Sequence, residues 1–502
     1  MEVLVCDMYH TSLAMDAGVW SHHSSARQER HNDTTTHRYG GVAVQSEAVR
    51  GSREEVRVEN SIDRYYPYIA PAAKMLLDED AVGSSEFNPG PQLPGMTPKF
   101  REFFSASRLA YTPLGEYAGK RLSFLNLAQN PGTRTTKTFA SLVVVARAVR
   151  FIQETGQRVM ILTPSSANKA TAMRDAVLSA IRLNLVTPDQ LSVSVVVPEG
   201  STPKLWESEL SRDLELKDRN PVAVYQGAEP AHVKALARHV VEEHAAALKD
   251  STGVNLWYTL GLNNYMAADV VRAFAEADLF PSATPRLHVH AVSSAYGLLG
   301  HAQGHALLDE SVRGSMAHPR YFLVQHLGAP DMVLSLYHGS TNANLVPSYG
   351  YDESTGLYEQ QADPRFPYTT MNPGETLDTT FYTRNPPTSP RMNELIRTHG
   401  GGGIVVSLHE CLTRYPRIRA LLRPAGVELP ADPRDLREWS LIMAMTGILN
   451  AVDRGLVPEE DILVHGSGCY SRHDYTPFPP ASLHRVETGD MLKDVVFKAA
   501  GA

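Results

Sequence analysis

The chain has 502 residues, of which 43% are hydrophobic, and carries a formal net charge of −8 at pH 7. This length can bury one large core or two medium ones, the charge offers no basic surface for nucleic acid or acidic lipid, and no apolar run reaches the roughly 18 to 20 residues of a membrane span. The three cysteines, Cys6, Cys411 and Cys469, are too scattered for a disulfide framework or a zinc site, so we expect a cytoplasmic protein with no bound metal, no nucleic-acid partner and no membrane partner.

The first 60 residues are poor in apolar periodicity and predict a poorly ordered N-terminal extension. It contains His22, His23 and His31, but no acidic residue or cysteine is spaced to complete a metal site with them. A helical pattern begins next, and residues 61–123 are predicted to form an N-terminal arm that packs on the large domain.

Further along the chain, predicted strands alternate with predicted helices, which is typical of a largely parallel sheet. The predicted strands are Arg121–Leu127, Arg158–Thr163, Leu191–Val197, Val222–Gln226, Val254–Thr259, Leu287–Val292 and Asp461–His465. The predicted helices are Thr136–Gln153, Ala167–Leu183, Pro203–Glu215, Pro230–Ala246, Asn264–Ala277, Ser389–Thr398 and Leu436–Arg454. A loop-rich stretch at about 336–382 interrupts the alternation and indicates an insertion.

One lysine lies where a turn meets a helix. The turn is Asn130–Gly132, an apolar run begins at Phe139, and Thr135 and Thr136 are helix-capping types just before that run. Lys137 therefore falls in the first turn of a helix, where the helix dipole and any burial would lower its pKa. That is what a Schiff-base lysine needs, although an ordinary solvated lysine at a helix start has the same local sequence.

Two later segments are candidates for binding anions. Thr163–Asn168 ends a strand and opens a helix, so its hydroxyls and free backbone N–H groups can bind an anion; the same pattern is also typical of an ordinary helix cap. Leu256–Asn264 is again strand, tight turn and helix, and Gly261 would let a phosphate approach the backbone. A second glycine-rich piece, Gly297–Gly304, is the lesser candidate for the same phosphate.

Near the C-terminus, two glycine-containing turns complete the pattern. Gly400–Gly403 would let the backbone approach a ligand or would simply end a helix. The segment Ile462–Cys469 reads Ile-Leu-Val-His-Gly-Ser-Gly-Cys and ends the last predicted strand.

Taken in order, these segments resemble the fold type II pyridoxal-phosphate (PLP) enzymes, the cysteine synthase, threonine synthase and tryptophan synthase β group. That family has a Thr-Pro-Leu strand start and an Asn-Pro-Thr-Gly-Ser-x-Lys turn, where this chain has Tyr111–Gly115 and a version of the turn that is one residue longer, Asn130–Lys137. The resemblance runs from about Ser105 to Ser471. It implies an α/β fold of two doubly wound parallel-sheet domains with the active site between them. The small mobile domain would span residues 124–221 and the large cofactor-binding domain residues 222–502.

The resemblance also implies roles for individual residues. Lys137 would carry pyridoxal 5'-phosphate as a Schiff base and act as the catalytic base. The other implied cofactor contacts are Asn168, Thr259, Gly261, Leu262, Asn263, Asn264, His465 and Ser467. The implied substrate contacts are Thr163, Ser165, Ser166, Ala167 and Lys169. Lys169 stands where the family has a small residue, so it would hold a second substrate anion or point to solvent. In the family a Ser or Thr faces the pyridine nitrogen; here His465 falls on that position and Ser467 follows two residues later.

The implied function is a PLP-dependent lyase or synthase that eliminates or replaces a β or γ substituent of an amino acid in specialised metabolism, acting as a homodimer. A catalytically inactive relative that acts as a binding protein is the alternative, because several motifs depart from the family pattern. A Rossmann-type NAD enzyme is a distant third, because no Gly-x-Gly-x-x-Gly run occurs in the sequence.

Overall fold

A computed structural model describes residues 55–81 and 86–502, which lie in one compact unit. His22, His23 and His31 lie outside the described residues, as does nearly all of the predicted extension. None of the helices in the described part of the chain is long and apolar enough to cross a membrane.

The strands and helices alternate through most of the chain. The strands are β1 (Val56–Val58), β2 (Leu109–Tyr117), β3 (Lys120–Asn126), β4 (Arg158–Pro164), β5 (Leu191–Pro198), β6 (Val222–Tyr225), β7 (Val254–Tyr258), β8 (Arg286–Ala291), β9 (Arg320–His326), β10 (Gly350–Asp352), β11 (Leu357–Glu359), β12 (Thr369–Thr370), β13 (Gly401–Val406), β14 (Asp461–Gly466) and β15 (Leu483–Val486). The helices are α1 (Ser61–Arg64), α2 (Tyr66–Ala81), α3 (Pro98–Phe104), α4 (Lys137–Thr155), α5 (Asn168–Arg182), α6 (Glu209–Arg212), α7 (Leu214–Lys217), α8 (His232–Thr252), α9 (Leu262–Asp269), α10 (Val271–Leu279), α11 (Tyr296–Ala306), α12 (Glu310–Arg313), α13 (Asp331–His338), α14 (Ser389–His399), α15 (Leu408–Leu422), α16 (Ser440–Asp453) and α17 (Gly489–Ala500).

Two largely parallel sheets form the framework. The first has seven strands in the order β1-β2-β3-β14-β8-β9-β13, and its members from β3 to β13 are parallel. The second has five strands in the order β15-β6-β5-β4-β7 and is parallel throughout. The predicted α/β fold with two parallel sheets is therefore confirmed. A small antiparallel sheet, β10-β11-β12, lies within the predicted insertion.

The five-stranded sheet extends beyond the predicted limits of the small domain. That domain was predicted to end at residue 221, yet β6, β7 and β15 share the sheet with β4 and β5. The chain returns to this sheet from its C-terminus, which no local sequence pattern indicates. The division of the chain into a small mobile domain and a large domain stays a prediction.

Several elements differ from the sequence-based expectation. The predicted helix at 203–215 is two single turns, α6 and α7, and the predicted helix at 264–277 is two helices, α9 and α10. The predicted glycine-rich turn at 297–304 lies inside the helix α11. Glycine disfavours a helix interior, so the sequence favours a turn there, but close packing against the neighbouring helix requires the glycines.

Gly300 is where α11 approaches α9 most tightly, and it provides a test of this packing. A Cβ added at Gly300 would lie 2.4 Å from the Cβ of Asp269. We expect Gly300→Ala to lower the free energy of unfolding in urea by about 1 to 3 kcal/mol, because overpacking outweighs the higher helix propensity of alanine. Gly95→Ala is the control, since no heavy atom lies within 4 Å of its added Cβ. Equal stability of the two variants would contradict the close approach of the helices.

Candidate active site

A cavity of about 180 Å³ lies where strands of both parallel sheets end. Its walls take residues that follow β4, β8 and β14, and the carboxyl ends of parallel strands are where open α/β sheets bind ligands. The predicted site residues in its walls are Lys137, Ser165, Ser166, Asn168, Lys169 and Ser467. The structure thus brings together side chains from three of the five sequence motifs.

Lys137 is the first residue of α4 and is half-buried in the cavity wall. Its backbone N–H donates to Thr135 Oγ1 (3.4 Å), and its Nζ lies 5.2 Å from the centre of the Tyr265 ring. Burial lowers the pKa of Lys137; the carboxylate of Asp269 opposes this and the guanidinium of Arg272 reinforces it. A lysine with a lowered pKa supplies the neutral amine that attacks a carbonyl carbon.

The loop after β4 presents an asparagine held at both ends of its amide. Asn168 Nδ2 donates to Glu438 Oε2 (2.6 Å), and the hydroxyl of Tyr470 donates to Asn168 Oδ1 (2.6 Å). Ser165 Oγ accepts from the backbone N–H of Ala170 (2.8 Å) and so caps the helix α5. The amide nitrogen of Asn168 carries two hydrogens, and the bond to Glu438 uses one of them. The second hydrogen is therefore available to a ligand.

Lys169 does not point to solvent. Only 7% of its surface is exposed, and its Nζ donates to the carbonyl oxygen of Thr259 (2.7 Å). Burial, and then the charge of Lys137, lower the pKa of Lys169 to about 7. Lys234 also lines this cavity, and burial lowers its pKa too, so three lysines with lowered pKa values share the cavity.

The predicted phosphate turn at Gly261 lies outside the cavity walls. The backbone of Gly261 has φ −59°, which any residue adopts, and Gly261, Asn263 and Asn264 are not among the described residues that line the cavity. Instead, the stretch from Ala291 to Gly297, where β8 passes into α11, forms one wall. The sequence predicts this strand but does not indicate that the turn after it lines a cavity, because Ser293, Ser294 and Ala295 include no glycine.

Three other predicted contacts lie outside the cavity walls. Thr163 and Ala167 are fully buried next to the asparagine loop, and Thr259 offers its carbonyl to Lys169. Ala167 has φ +80°, a left-handed conformation in which alanine is strained, and it places the first turn of α5 against the cavity.

Ser467, rather than His465, faces the cavity at the end of β14. The strand continues to Gly466, which pairs with Asn126, so the chain turns into the cavity one residue later than predicted. The Oγ of Ser467 is buried without a hydrogen-bond partner among the described residues. Its carbonyl oxygen accepts from the backbone N–H of Thr136 (2.8 Å), which ties this turn to the lysine helix.

His465 belongs to a buried chain of hydrogen bonds behind the cavity. Arg272 donates through Nη2 to Thr136 Oγ1 (3.1 Å) and through Nε to Asp269 Oδ1 (2.8 Å), and its Nη1 lies 3.2 Å from His465 Nδ1. Burial, and then Arg272, lower the pKa of His465 well below its ordinary value. Because the guanidinium only donates, the neutral ring accepts at Nδ1 and donates from Nε2 to His288 Nδ1 (3.0 Å). Both ring nitrogens are thus occupied.

A buried ion cluster closes the opposite wall. Lys204 Nζ lies 2.7 Å from Asp378 Oδ2 and 2.9 Å from Glu438 Oε2, the carboxylate oxygen that also holds Asn168. Asp378 belongs to the predicted insertion, and the following residues Thr380–Tyr382 line the cavity. The insertion therefore forms part of the site, as expected for a segment that shapes a pocket.

Sequence reasoning missed several wall residues. They are Lys234, Tyr265, Asp269, Arg272, His290 and Glu438. Each comes from a helix, a strand or a loop whose local sequence pattern is ordinary. The one signal is the Asp-x-x-Arg spacing of Asp269 and Arg272, which could have indicated an ion pair.

Comparison with known proteins places the chain in a family and shows a distant structural likeness. Residues 57–500 match a family described as a family of unknown function (DUF6002), and the chain belongs to that family. Among curated proteins, none matches the chain.

The similar solved structures include a PLP-bound threonine synthase from Brucella melitensis, with 13% identity, 87% of this chain and 89% of that chain covered, and a TM-score of 0.47. A threonine synthase from yeast has 10% identity, 77% and 79% coverage, and a TM-score of 0.46. A fungal L-serine ammonia-lyase from Rhizomucor miehei has 14% identity, 73% and 94% coverage, and a TM-score of 0.44. The first two are enzymes of the group that the sequence motifs resemble. At TM-scores below 0.5, any assignment of function rests on the residues of this chain.

Proposed function

We propose that this protein is an enzyme that holds pyridoxal 5'-phosphate on Lys137 and eliminates or replaces a β or γ substituent of an amino acid. The observation that carries the proposal is the meeting of Lys137, the asparagine loop, the Ser293–Gly297 turn and Ser467 in the walls of one cavity. The four groups come from segments far apart in the chain, and each suits a different part of the cofactor or of an amino acid.

The turn before α11 suits the phosphate. The helix α11 has 11 residues, and its free N–H groups and positive dipole end favour an anion at Ser293–Gly297. The Oγ of Ser293 is buried without a partner among the described residues, so a hydroxyl donor is free beside those N–H groups. A buried hydroxyl without a partner costs free energy, and a bound phosphate oxygen would remove that cost.

Ser467 suits the pyridine nitrogen. Its Oγ is the second buried hydroxyl in these walls that lacks a partner in the described part of the chain. A neutral hydroxyl leaves that nitrogen unprotonated, which favours elimination and replacement chemistry. Asn168, with one amide hydrogen left over, would contact the oxygen on the pyridine ring, as the sequence resemblance implies.

The remaining residues would bind the amino acid and move its protons. Ser165, Ser166 and the N-terminus of α5 offer hydroxyl and backbone N–H donors for the substrate carboxylate. When bound, the cofactor supplies an electron sink for the substrate α-carbon. The amine of Lys137, once free, would accept the proton from that carbon, and its lowered pKa keeps the amine neutral for this purpose. Thr380–Tyr382 would exclude water from the cavity.

Absorbance and product analysis together test the proposal. Purified protein incubated with pyridoxal 5'-phosphate and dialysed should show a visible band that sodium borohydride removes. L-serine, L-threonine and O-acetyl-L-serine are then supplied in turn, and ammonia, keto acid and replacement products are measured. The proposal expects product from an amino acid with a β or γ leaving group. A protein that binds the cofactor but turns over none of a full panel of such amino acids would be the binding protein of the alternative.

Ser467→Ala separates a cofactor contact from a structural role. Because its Oγ has no partner among the described residues, we expect the cofactor-free variant to unfold within about 0.5 kcal/mol of the parent protein. The affinity for pyridoxal 5'-phosphate, measured by absorbance titration, should fall by about 5- to 10-fold, since one hydrogen bond of about 1 kcal/mol is lost.

The matched control is Ser194→Ala. The Oγ of Ser194 is also buried without a partner among the described residues, but Ser194 lies on β5 and outside the cavity walls. Ser194→Ala should leave both the stability of the cofactor-free protein and the affinity for pyridoxal 5'-phosphate unchanged. Equal cofactor affinity in the two variants would remove Ser467 from the site. Homodimer assembly, which the sequence resemblance implies, stays a prediction for light scattering to test.

A further inference from the structure

The second lysine of the cavity has no role in the proposal above. Lys137 Nζ and Lys169 Nζ lie 5.2 and 5.5 Å from the centre of the same Tyr265 ring. Lys169 donates one hydrogen bond to the carbonyl oxygen of Thr259 (2.7 Å) and lines the cavity. Within the described residues, no carboxylate oxygen forms an ion pair with its Nζ.

The surroundings of Lys169 disfavour its charged form. Burial removes water from the amine, and Lys137 on α4, when protonated, repels a second positive charge. Tyr265 on α9 stays neutral, because burial raises its pKa well above the ordinary value. The other charged or titratable groups around the cavity are Lys234, Asp269, Arg272, His290, Tyr296, Tyr382 and Glu438. With a pKa of about 7, the amine of Lys169 is available in its neutral form at neutral pH.

A neutral amine at this place is better suited to accept a proton than to bind an anion. An anion is held by a charged ammonium, and both burial and the charge of Lys137 disfavour that form of Lys169. A proton acceptor, by contrast, works best when its pKa lies near the working pH.

The proposed reaction needs a proton acceptor before the proton on the α-carbon is removed. An amino acid enters at neutral pH as an ammonium ion, whose nitrogen has no free lone pair to attack a carbonyl-type carbon. While its nitrogen is joined to the cofactor, Lys137 is not a free amine, and a nitrogen in that bond is a weaker base than a free amine. A free amine elsewhere in the cavity walls is therefore the better acceptor for this proton.

We propose that Lys169 is a second catalytic lysine, which accepts the proton of the substrate ammonium group. The inference rests on the proposed function. One N–H bond on the substrate breaks and leaves its electron pair on the substrate nitrogen, and one N–H bond forms on Lys169 Nζ. The positive charge moves to Lys169, where the Thr259 carbonyl and the face of the Tyr265 ring stabilise it.

Labelling of the cofactor-free protein tests the state of Lys169 without any substrate. Acetic anhydride reacts with neutral amines, so the extent of acetylation of each lysine against pH, read by mass spectrometry, gives its midpoint. We expect a midpoint near 7 for Lys169, and a rise of that midpoint in Lys137→Ala, because the neighbouring cation is removed. Exposed Lys249 in the same sample is the internal reference. A midpoint for Lys169 near the ordinary lysine value of about 10.4, unchanged by Lys137→Ala, would overturn the inference.

Variants of Lys169 test the proton step in the cofactor-loaded protein. Lys169→Met and Lys169→Arg should keep the visible band of the cofactor on Lys137, so their failure is distinguishable from failure of the proposed function. The rate at which L-serine or L-threonine changes that band at pH 7 should fall by about 10²- to 10⁴-fold in both variants. Added ethylamine should restore part of the rate in Lys169→Met, because it is an external base.

The same measurements distinguish an anion-binding role. If Lys169 held a substrate anion, Lys169→Arg would keep the rate, and Lys169→Met would raise the amino acid concentration needed for half-saturation without lowering the limiting rate. Either result would overturn the proton-acceptor role.

Discussion

Lys137→Ala is expected to abolish the visible band that pyridoxal 5'-phosphate gives with the parent protein. In the proposed arrangement the amine of Lys137 forms the covalent bond, and its half-buried place at the start of α4 lowers its pKa, which favours the neutral form that this bond needs. Turnover of amino acids should fall by about 10²- to 10⁴-fold from the lost proton transfer alone. Stability should not fall, because the substitution removes an amine whose burial is unfavourable.

Lys169→Met is the control for this prediction, because it removes the other lysine near the Tyr265 ring. It should keep the band while Lys137→Ala loses it. The reverse pattern would mean that the cofactor is held by Lys169, and loss of the band in neither variant would mean that neither of these two lysines holds it.

Lys204→Met is expected to give the largest loss of stability. The substitution leaves the carboxylates of Asp378 and Glu438, which are 3% and 1% exposed, without their cation. Breaking a buried ion pair from one side costs about 3 to 5 kcal/mol, and we expect this loss in urea unfolding at pH 7. Lys493→Met, which breaks an ion pair in which Asp494 is largely exposed, should cost no more than about 0.5 kcal/mol.

The pH dependence gives the sign of the same effect. In the parent protein, burial raises the pKa of Asp378, but the charge of Lys204 lowers it by more, so the pKa of Asp378 is lowered overall. The stability that this carboxylate contributes is present above its ordinary pKa and is lost as the pH falls through the lower folded value. Without Lys204, uptake of a proton relieves the buried charge instead. The difference in unfolding free energy between parent and variant should therefore be smaller at pH 5 than at pH 7. A difference that does not change with pH, or one below about 1 kcal/mol at pH 7, would contradict the ion cluster.

The sequence predicts those parts of the site that lie within one local pattern. Lys137 and Asn168 each follow a turn or strand end and open a helix, and that pattern can be seen in a dozen residues. The fold class was predictable for the same reason, because alternating strands and helices are local features.

Other parts of the candidate site cannot be predicted from a local pattern, because they depend on where a strand ends or on packing between distant segments. His465 and Ser467 are two residues apart, and the pairing of Gly466 with Asn126 decides which of them faces the cavity. Glycine is the usual sequence signal of a phosphate turn and favours Gly261, whereas the described cavity wall contains Ser293 and the start of a helix. Glu438 carries no local signal, because its role comes from Lys204 and Asn168, which follow strands β5 and β4 of the five-stranded sheet.

The most direct test of the proposed active site is to identify the residue that binds pyridoxal 5'-phosphate covalently. The protein is loaded with pyridoxal 5'-phosphate, reduced with borohydride, digested with trypsin and analysed by mass spectrometry. Arginines at positions 147 and 158 lie between the two lysines, so Lys137 and Lys169 fall on separate peptides. We predict the phosphopyridoxyl group on Lys137. Its presence on another lysine, or its absence from every peptide, would contradict the proposed active site.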